Sequence, residues 1–212
     1  FLGYEIGTQF TRHAEVVNYF EYVASNSKLV RFETYGKTNE RRQLTYAIVS
    51  SKDNLNNLET IRTNHLKNAG IIDGDVNPEK SIVWLSYNVH GNEASSSEAA
   101  MQTLYILITK KQVWLENTLV IIDPCINPDG RDRYVNWYNQ VKASPYDTNQ
   151  NATEHNEPWP SGRPNHYLFD LNRDWVWASQ VETKQRLKLY NQWMPHIHVD
   201  FHEQGLNEPY YF

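Results

Sequence analysis

The sequence contains one cysteine, Cys125, so an internal disulfide and any cysteine-rich metal site are excluded. Cys125 ends an apolar stretch and reads as a small buried hydrophobe. No apolar run approaches the roughly 20 residues that span a bilayer. Charge of one sign is not concentrated anywhere: 20 Lys and Arg stand against 25 Asp and Glu, a net charge of −5, with no basic block or tail. Nucleic acid and other polyanions therefore have no electrostatic footprint here. Internal repeats and low-complexity tracts are also missing. There is no initiating Met. Phe1 stands first, so the chain is expected to be a processed product or an excerpt, with any signal peptide already removed. What is present is 40% apolar residues, 13% of the chain being aromatic, enough to bury a core and to exclude wholesale disorder. A length of 212 residues predicts a single domain, 1–212.

Helical and strand patterns alternate. Residues 12–25 carry Val16, Val17, Phe20 and Val23 on one helical face. Leu29–Tyr35 and Gln43–Ser50 read as strands joined by the polar turn Gly36–Arg42. A helix is predicted over 54–69, with Leu55, Leu58, Ile61 and Leu66 inward and Gly70 ending it. Ser81–Tyr87 is a short apolar strand, followed by a helix over 95–109 with Ser95–Ser97 as caps. Thr118–Asp123 is another strand. Residues 179–193 form a helix whose apolar face holds Val181, Leu187, Leu189 and Trp193 and whose solvated face holds Glu182, Lys184, Arg186 and Lys188. Pro195 stops it, and Ile197–Phe201 is a final strand. The pattern predicts an α/β fold, a mixed, largely parallel sheet flanked by helices. Residues 141–166, rich in Asn, Pro and Ser, interrupt it as a long ordered loop that Tyr146 and Trp159 could pin to the body.

Three clusters carry chemistry. Strand Ser81–Tyr87 runs into His90-Gly91-Asn92-Glu93, where a His and a Glu three apart in a turn can converge on one ion, as a zinc site of two His, one Glu and a water requires. With 8 His and 25 acids in 212 residues, about one such spacing (8 × 25/212) arises by chance, so the motif alone is equally a turn histidine held by backbone. The strand at His196–Glu203 delivers His196, His198, Asp200 and His202 on one face, and His202 at its carboxyl end is the best third ligand. Asp170-Leu171-Asn172-Arg173 sets an amide beside a guanidinium, a pair suited to a carboxylate, with Asp170 placed to orient a ligating His. Alone, the strand at His196–Glu203 is equally the solvent-exposed face of an edge strand, and Asp170–Arg173 a surface ion pair. His13, His65, His155 and His166 lack partners at ligand spacing and read as surface or satisfied histidines.

Together these residues resemble the M14 zinc carboxypeptidase family. The H-x-x-E motif falls at His90 and Glu93. Asn127-Pro128-Asp129-Gly130 resembles the family's NPDG turn, and Asp170–Arg173 its D-x-N-R element. The third ligand falls at His202, 109 residues beyond Glu93 (202 − 93). Tyr35-Gly36-Lys37 and Arg42-Gln43-Leu44 resemble an early G-K-S…R-P-L stretch. The resemblance spans nearly the whole chain. It implies one Zn2+ held by His90, Glu93 and His202, Asp170 bonded to the far nitrogen of His90, and Asn172 with Arg173 gripping the free carboxylate of peptide or protein C-termini. It also implies an arginine that stabilises the oxyanion: Arg163 is the first choice, with Arg131 and Arg133 as alternatives. The family's general-base Glu and its substrate-capping Tyr lie beyond the third ligand, and the chain ends at Phe212, ten residues past His202 (212 − 202). Glu203 neighbours the ligand but points to the other face. The expectation is an excerpt that holds zinc without turning over substrate, its cut sheet edge inviting self-association, from a secreted or periplasmic protein. The rival readings are an N-acyl amino acid deacylase of the related branch and a non-catalytic pseudo-peptidase that binds chain ends or glycans.

Overall fold

The computed structural model describes residues 1–75 and 80–205; the predicted chain end at Pro209–Phe212 lies outside them. The elements in order are α1 (His13–Asn26), β1 (Val30–Lys37), β2 (Gln43–Val49), α2 (Lys52–Asn56), α3 (Leu58–Asn68), β3 (Ser81–Ser86), α4 (Ser95–Lys110), β4 (Thr118–Asp123), α5 (Pro128–Val141), α6 (Val181–Trp193) and β5 (Ile197–Asp200). The strands form one sheet in the order β1-β2-β4-β3-β5. It is mixed: β1–β2 and β2–β4 are antiparallel, whereas β4–β3 and β3–β5 are parallel.

Alternation along the central strands explains the layering. On β4, Val120 and Ile122 enter one core with Val16, Phe20, Met101 and Leu104 of α1 and α4, while Leu119 and Ile121 enter another with Trp84, Leu189 and Trp193. Helices thus cover both faces, which is why β3 and β4 read as near-continuous apolar runs. The carboxyl ends of the parallel strands β3 and β5 lie side by side, with Ser86 opposite Asp200. The turn after β3 and the residues after β5 therefore meet, as open α/β sheets arrange their sites.

Four expectations are corrected. The helix expected over 54–69 is two helices broken at Asn57, because the buried Asn54 amide donates to Leu115 and Glu116 carbonyls and ties the first turn to a different segment. Ser95–Ser97 do not cap α4. Ser96 Oγ accepts from Asn88 N, Ser97 Oγ donates to Pro124 O, and the Ser95 N–H goes instead to Glu203 Oε1 at 2.9 Å. Glu182 and Arg186 of α6 are buried rather than solvated, the Arg186 guanidinium lying 3.7 Å over the Trp175 ring. Tyr146 and Trp159 are exposed and pin nothing; loop 141–166 is held by the buried Glu154 carboxylate, which accepts from the Ala143 and Asp147 backbone. Helix α5 was not anticipated, since its residues are mostly polar, although Asn127 accepting from Gly130 N with Pro128 at the first position is a helix-start signature.

Candidate metal centre

Asn88 shapes the turn that carries the first two candidate ligands. Its backbone is left-handed, φ 61°, a region Asn tolerates better than most residues. Its side-chain amide donates to the carbonyls of His90 (2.7 Å) and Glu93 (2.9 Å), which folds the intervening residues into a compact loop. Gly91 sits where any Cβ would collide with the backbone of Gly130, Arg131 and Gly162, so three segments meet over a glycine. Both features escaped the sequence reading.

The donors converge. His90 Nδ1 lies 2.7 Å from Glu93 Oε1, and His202 Nδ1 lies 3.1 Å from Glu93 Oε2. One ligand atom from each of these residues falls within 4.8 Å of the others. The outer nitrogens also face acids: His90 Nε2 lies 3.1 Å from Asp170 Oδ1, and His202 Nε2 lies 3.3 Å from Asp200 Oδ2. Asp170 is aimed by its own local role, since the same Oδ1 caps the short turn Leu171–Arg173 by accepting from Asn172 N at 2.9 Å.

This arrangement fits a divalent cation. A neutral imidazole carries one N–H, yet both nitrogens of each ring face a carboxylate, which only accepts. Each ring must therefore be protonated or have a cation between its inner nitrogen and Glu93. Burial pushes the Glu93 carboxyl up, but hydrogen bonds and charge from His202 and His90 outweigh it and bring it down to about 2. Asp200 and then Glu93 raise His202 to about 10 against the opposing effect of burial. Two imidazoles and a carboxylate are also the donor types that catalytic zinc takes.

The arginines separate by environment. Arg163 bonds Asp170 Oδ2 through Nε and Nη2 at 3.2 and 3.0 Å while its side chain stays 43% exposed. Arg133 donates to the Ser161, Pro164 and Asn165 carbonyls and holds the long loop. Arg131, the first alternative, is fully buried and bonded to Glu98, Thr11 and Ala94, so it is not placed to reach a substrate. Asn172 Nδ2 lies 3.4 Å from His202 Nε2, and Arg173 is exposed beside it. Glu203 accepts from both Ser95 N and Ser95 Oγ, an anchoring role. A second acidic group, Glu40, Asp129 and His166, already has a cation, since Arg42 Nη1 bonds Glu40 and Asp129. Among the described residues no helix is long and apolar enough to cross a membrane.

The chain is 26% identical over 207 residues to "Probable carboxypeptidase 2" of Arthroderma benhamiae, covering 95% of this chain and 31% of that protein. It is 25% identical over 207 residues to "Carboxypeptidase 2" of Trichophyton rubrum, covering 95% and 30%. The chain thus spans about a third of the length of these relatives. Its fold is that of the carboxypeptidase A from Helicoverpa armigera, at a TM-score of 0.57 and 18% identity over 92% of this chain and 46% of that one. The family model described as "Zinc carboxypeptidase" (peptidase M14) matches residues 16–199, and the chain belongs to that family.

Proposed function

We propose that this chain forms the metal-binding and carboxylate-binding part of a zinc carboxypeptidase that removes the C-terminal residue of peptides. The observation that carries this reading is the convergence of His90, Glu93 and His202 with Asn172 and Arg173 beside them. His90, Glu93 and His202 would hold the metal. When bound, zinc supplies a Lewis acid that polarises a carbonyl and activates a water.

The remaining work falls to the chain. Asp170 accepts the His90 Nε2 proton and so presents the lone pair of Nδ1 inward. Arg173 supplies a guanidinium fork, and Asn172 an amide donor, for a terminal carboxylate. That grip selects which bond lies at the metal, the basis of exopeptidase specificity. Arg163, exposed and anchored on Asp170, is the proposed oxyanion donor. Glu203 is engaged with Ser95, so no general base is assigned among the described residues. The chain alone is accordingly proposed to bind zinc and peptide ends without turnover. Strand β5 has one neighbour among the described strands, and we propose that its free edge supports self-association, which light scattering would detect as a species larger than monomer. Placement of the protein outside the cytoplasm is part of the same reading.

The test is metal analysis with peptide binding. Protein purified without chelators should carry about one zinc per chain, lost in His90→Ala. Zinc content unchanged in that variant overturns the ligand set. Peptides with a free carboxyl should bind and their C-terminal amides should not; equal binding overturns the exopeptidase reading.

A further inference from the structure

An aromatic trough with an acidic wall adjoins the turn that carries His90 and Glu93. It begins at Asn92, between Gly91 and Glu93, and its floor is Phe10 with Tyr134, Trp137 and Tyr138 of α5. The spacing of the α5 residues, three and four apart, puts their rings on one helical face. Phe10 packs against Tyr134 and Tyr138 with centroids 5.7 and 5.0 Å apart, and Trp137 lies 5.5 Å from Tyr134. All four rings are half-buried, so each leaves part of its surface open. A second concavity shares Phe10 and Tyr138 but is lined by Lys142 beside the exposed Tyr146, so the acidic stretch is confined to the first. Asn172 adjoins His202, whereas Asn92 donates to Glu157 of the long loop, so the carboxylate grip and the trough are built against different segments.

One wall is negative. Glu157 lines it and accepts from Asn92 Nδ2 at 2.9 Å and from Gly162 N. These partners are neutral, and Glu157 forms no ion pair with a described Lys or Arg. The other lining acid, Glu154, lies 3.8 Å from the lining imidazole of His155. Burial, then the Glu157 and Glu203 charges, push the Tyr134 hydroxyl up to about 12, so the floor feels both carboxylates. Aromatic faces beside a carboxylate without a cationic partner complement a Lys or Arg side chain, which stacks its charge on a ring and pairs with the acid. A sugar would use the rings but not the charge.

We propose that this trough binds the peptide upstream of the scissile bond and selects Lys or Arg side chains there. The proposal rests on the reading of Asn172 and Arg173 as the carboxylate grip only for which end of the peptide lies at the metal.

The experiment is fluorescence anisotropy on the zinc-loaded protein with labelled ten-residue peptides. All share three C-terminal residues and carry Lys, Ser or Glu at the upstream positions. The Lys peptide should bind roughly tenfold tighter than the Ser peptide and the Glu peptide weakest, with the spread shrinking in high salt. Glu157→Gln, which keeps an acceptor for Gly162, and Trp137→Ala should each remove most of the Lys advantage. Zinc content and displacement by the shared tripeptide, too short to enter the trough, should not change. Equal binding of the three peptides overturns the proposal, as does a Lys advantage intact in both variants. Displacement by an N-acetylglucosamine tetramer without any Lys advantage overturns it in favour of a glycan site. If C-terminal amides bind as well as free acids while the Lys preference persists, the carboxylate grip fails and the acidic trough stands.

Discussion

His90 Nε2 lies 3.1 Å from Asp170 Oδ1, while the other oxygen of that carboxylate holds the Arg163 guanidinium at 3.0 Å. One acid thus contacts both a candidate ligand and the candidate oxyanion donor. Burial alone would raise Asp170, but the His90 and Arg163 charges outweigh it and hold the carboxyl below its ordinary range. Asp170→Asn removes the charge at nearly constant volume. Zinc affinity, measured by chelator competition, should fall about 10–100-fold. A change under twofold would show that Asp170 does not orient His90.

Gly91 should tolerate no side chain. A Cβ there meets the backbone of Gly130, Arg131 and Gly162, none of which can yield as a flexible side chain can. Gly91→Ala should cost several kcal/mol, on the order of 3, in urea unfolding and should loosen zinc, because the turn carrying His90 and Glu93 must shift. Gly70→Ala, placed in open space at φ 69°, should cost only about 1 kcal/mol from backbone strain. Comparable losses in the two variants would contradict the close approach.

Arg173→Ala should weaken binding of a free-acid peptide about 10–100-fold, the range of a charge-assisted pair, and leave an amidated peptide unaffected. Asn172→Ala should cost less for the peptide but also disturb His202, whose Nε2 lies 3.4 Å from Asn172 Nδ2. Titration calorimetry with both peptides separates these effects. An equal loss for acid and amide would mean that Arg173 does not read the carboxylate.

Two buried groups give opposite pH slopes to stability. His13 donates its Nε2 proton to Gln43 O at 2.9 Å, and burial, against Asp132, lowers it from 6.5 to about 4. Between those values the unfolded chain binds more protons, so this group makes stability fall as pH drops. Asp123 is raised from 3.8 to about 7, by burial against the pull of Arg186 and Tyr35. There the folded chain binds more protons, so stability falls as pH rises through 4–7. Urea unfolding at several pH values should show His13→Gln improving against the parent protein toward acid, and Asp123→Asn improving toward neutral pH. Parallel profiles for variant and parent would refute the corresponding assignment.

Much of the fold could be read locally. The apolar alternation of Thr118–Asp123 and the stop at Pro195 reflect periodicity and backbone valence within a few residues. Helix α5 was missed because its buried residues include Asp129 and Arg131, whose partners Thr38 and Glu98 lie far off in sequence. Glu182 and Arg186 were misplaced for a related reason: charge on a helix reads as solvent-facing unless the group that covers it is known, and Trp175 covers Arg186.

By itself the sequence determined the donor types, their order, and their positions at strand ends and turns: His90, Glu93, Asp170, Asn172, Arg173 and His202. Only the tertiary structure separates the three arginines by their surroundings. Arg131, Arg133 and Arg163 are alike in chemistry, and they differ in what segments 7 to 120 residues away place against them. The close meeting of Gly91, Gly130 and Gly162, the acid behind each imidazole, and the aromatic trough at Asn92 arise in the same way. Burial and charge pairing depend on distance in space, and the chain's own order does not specify that distance.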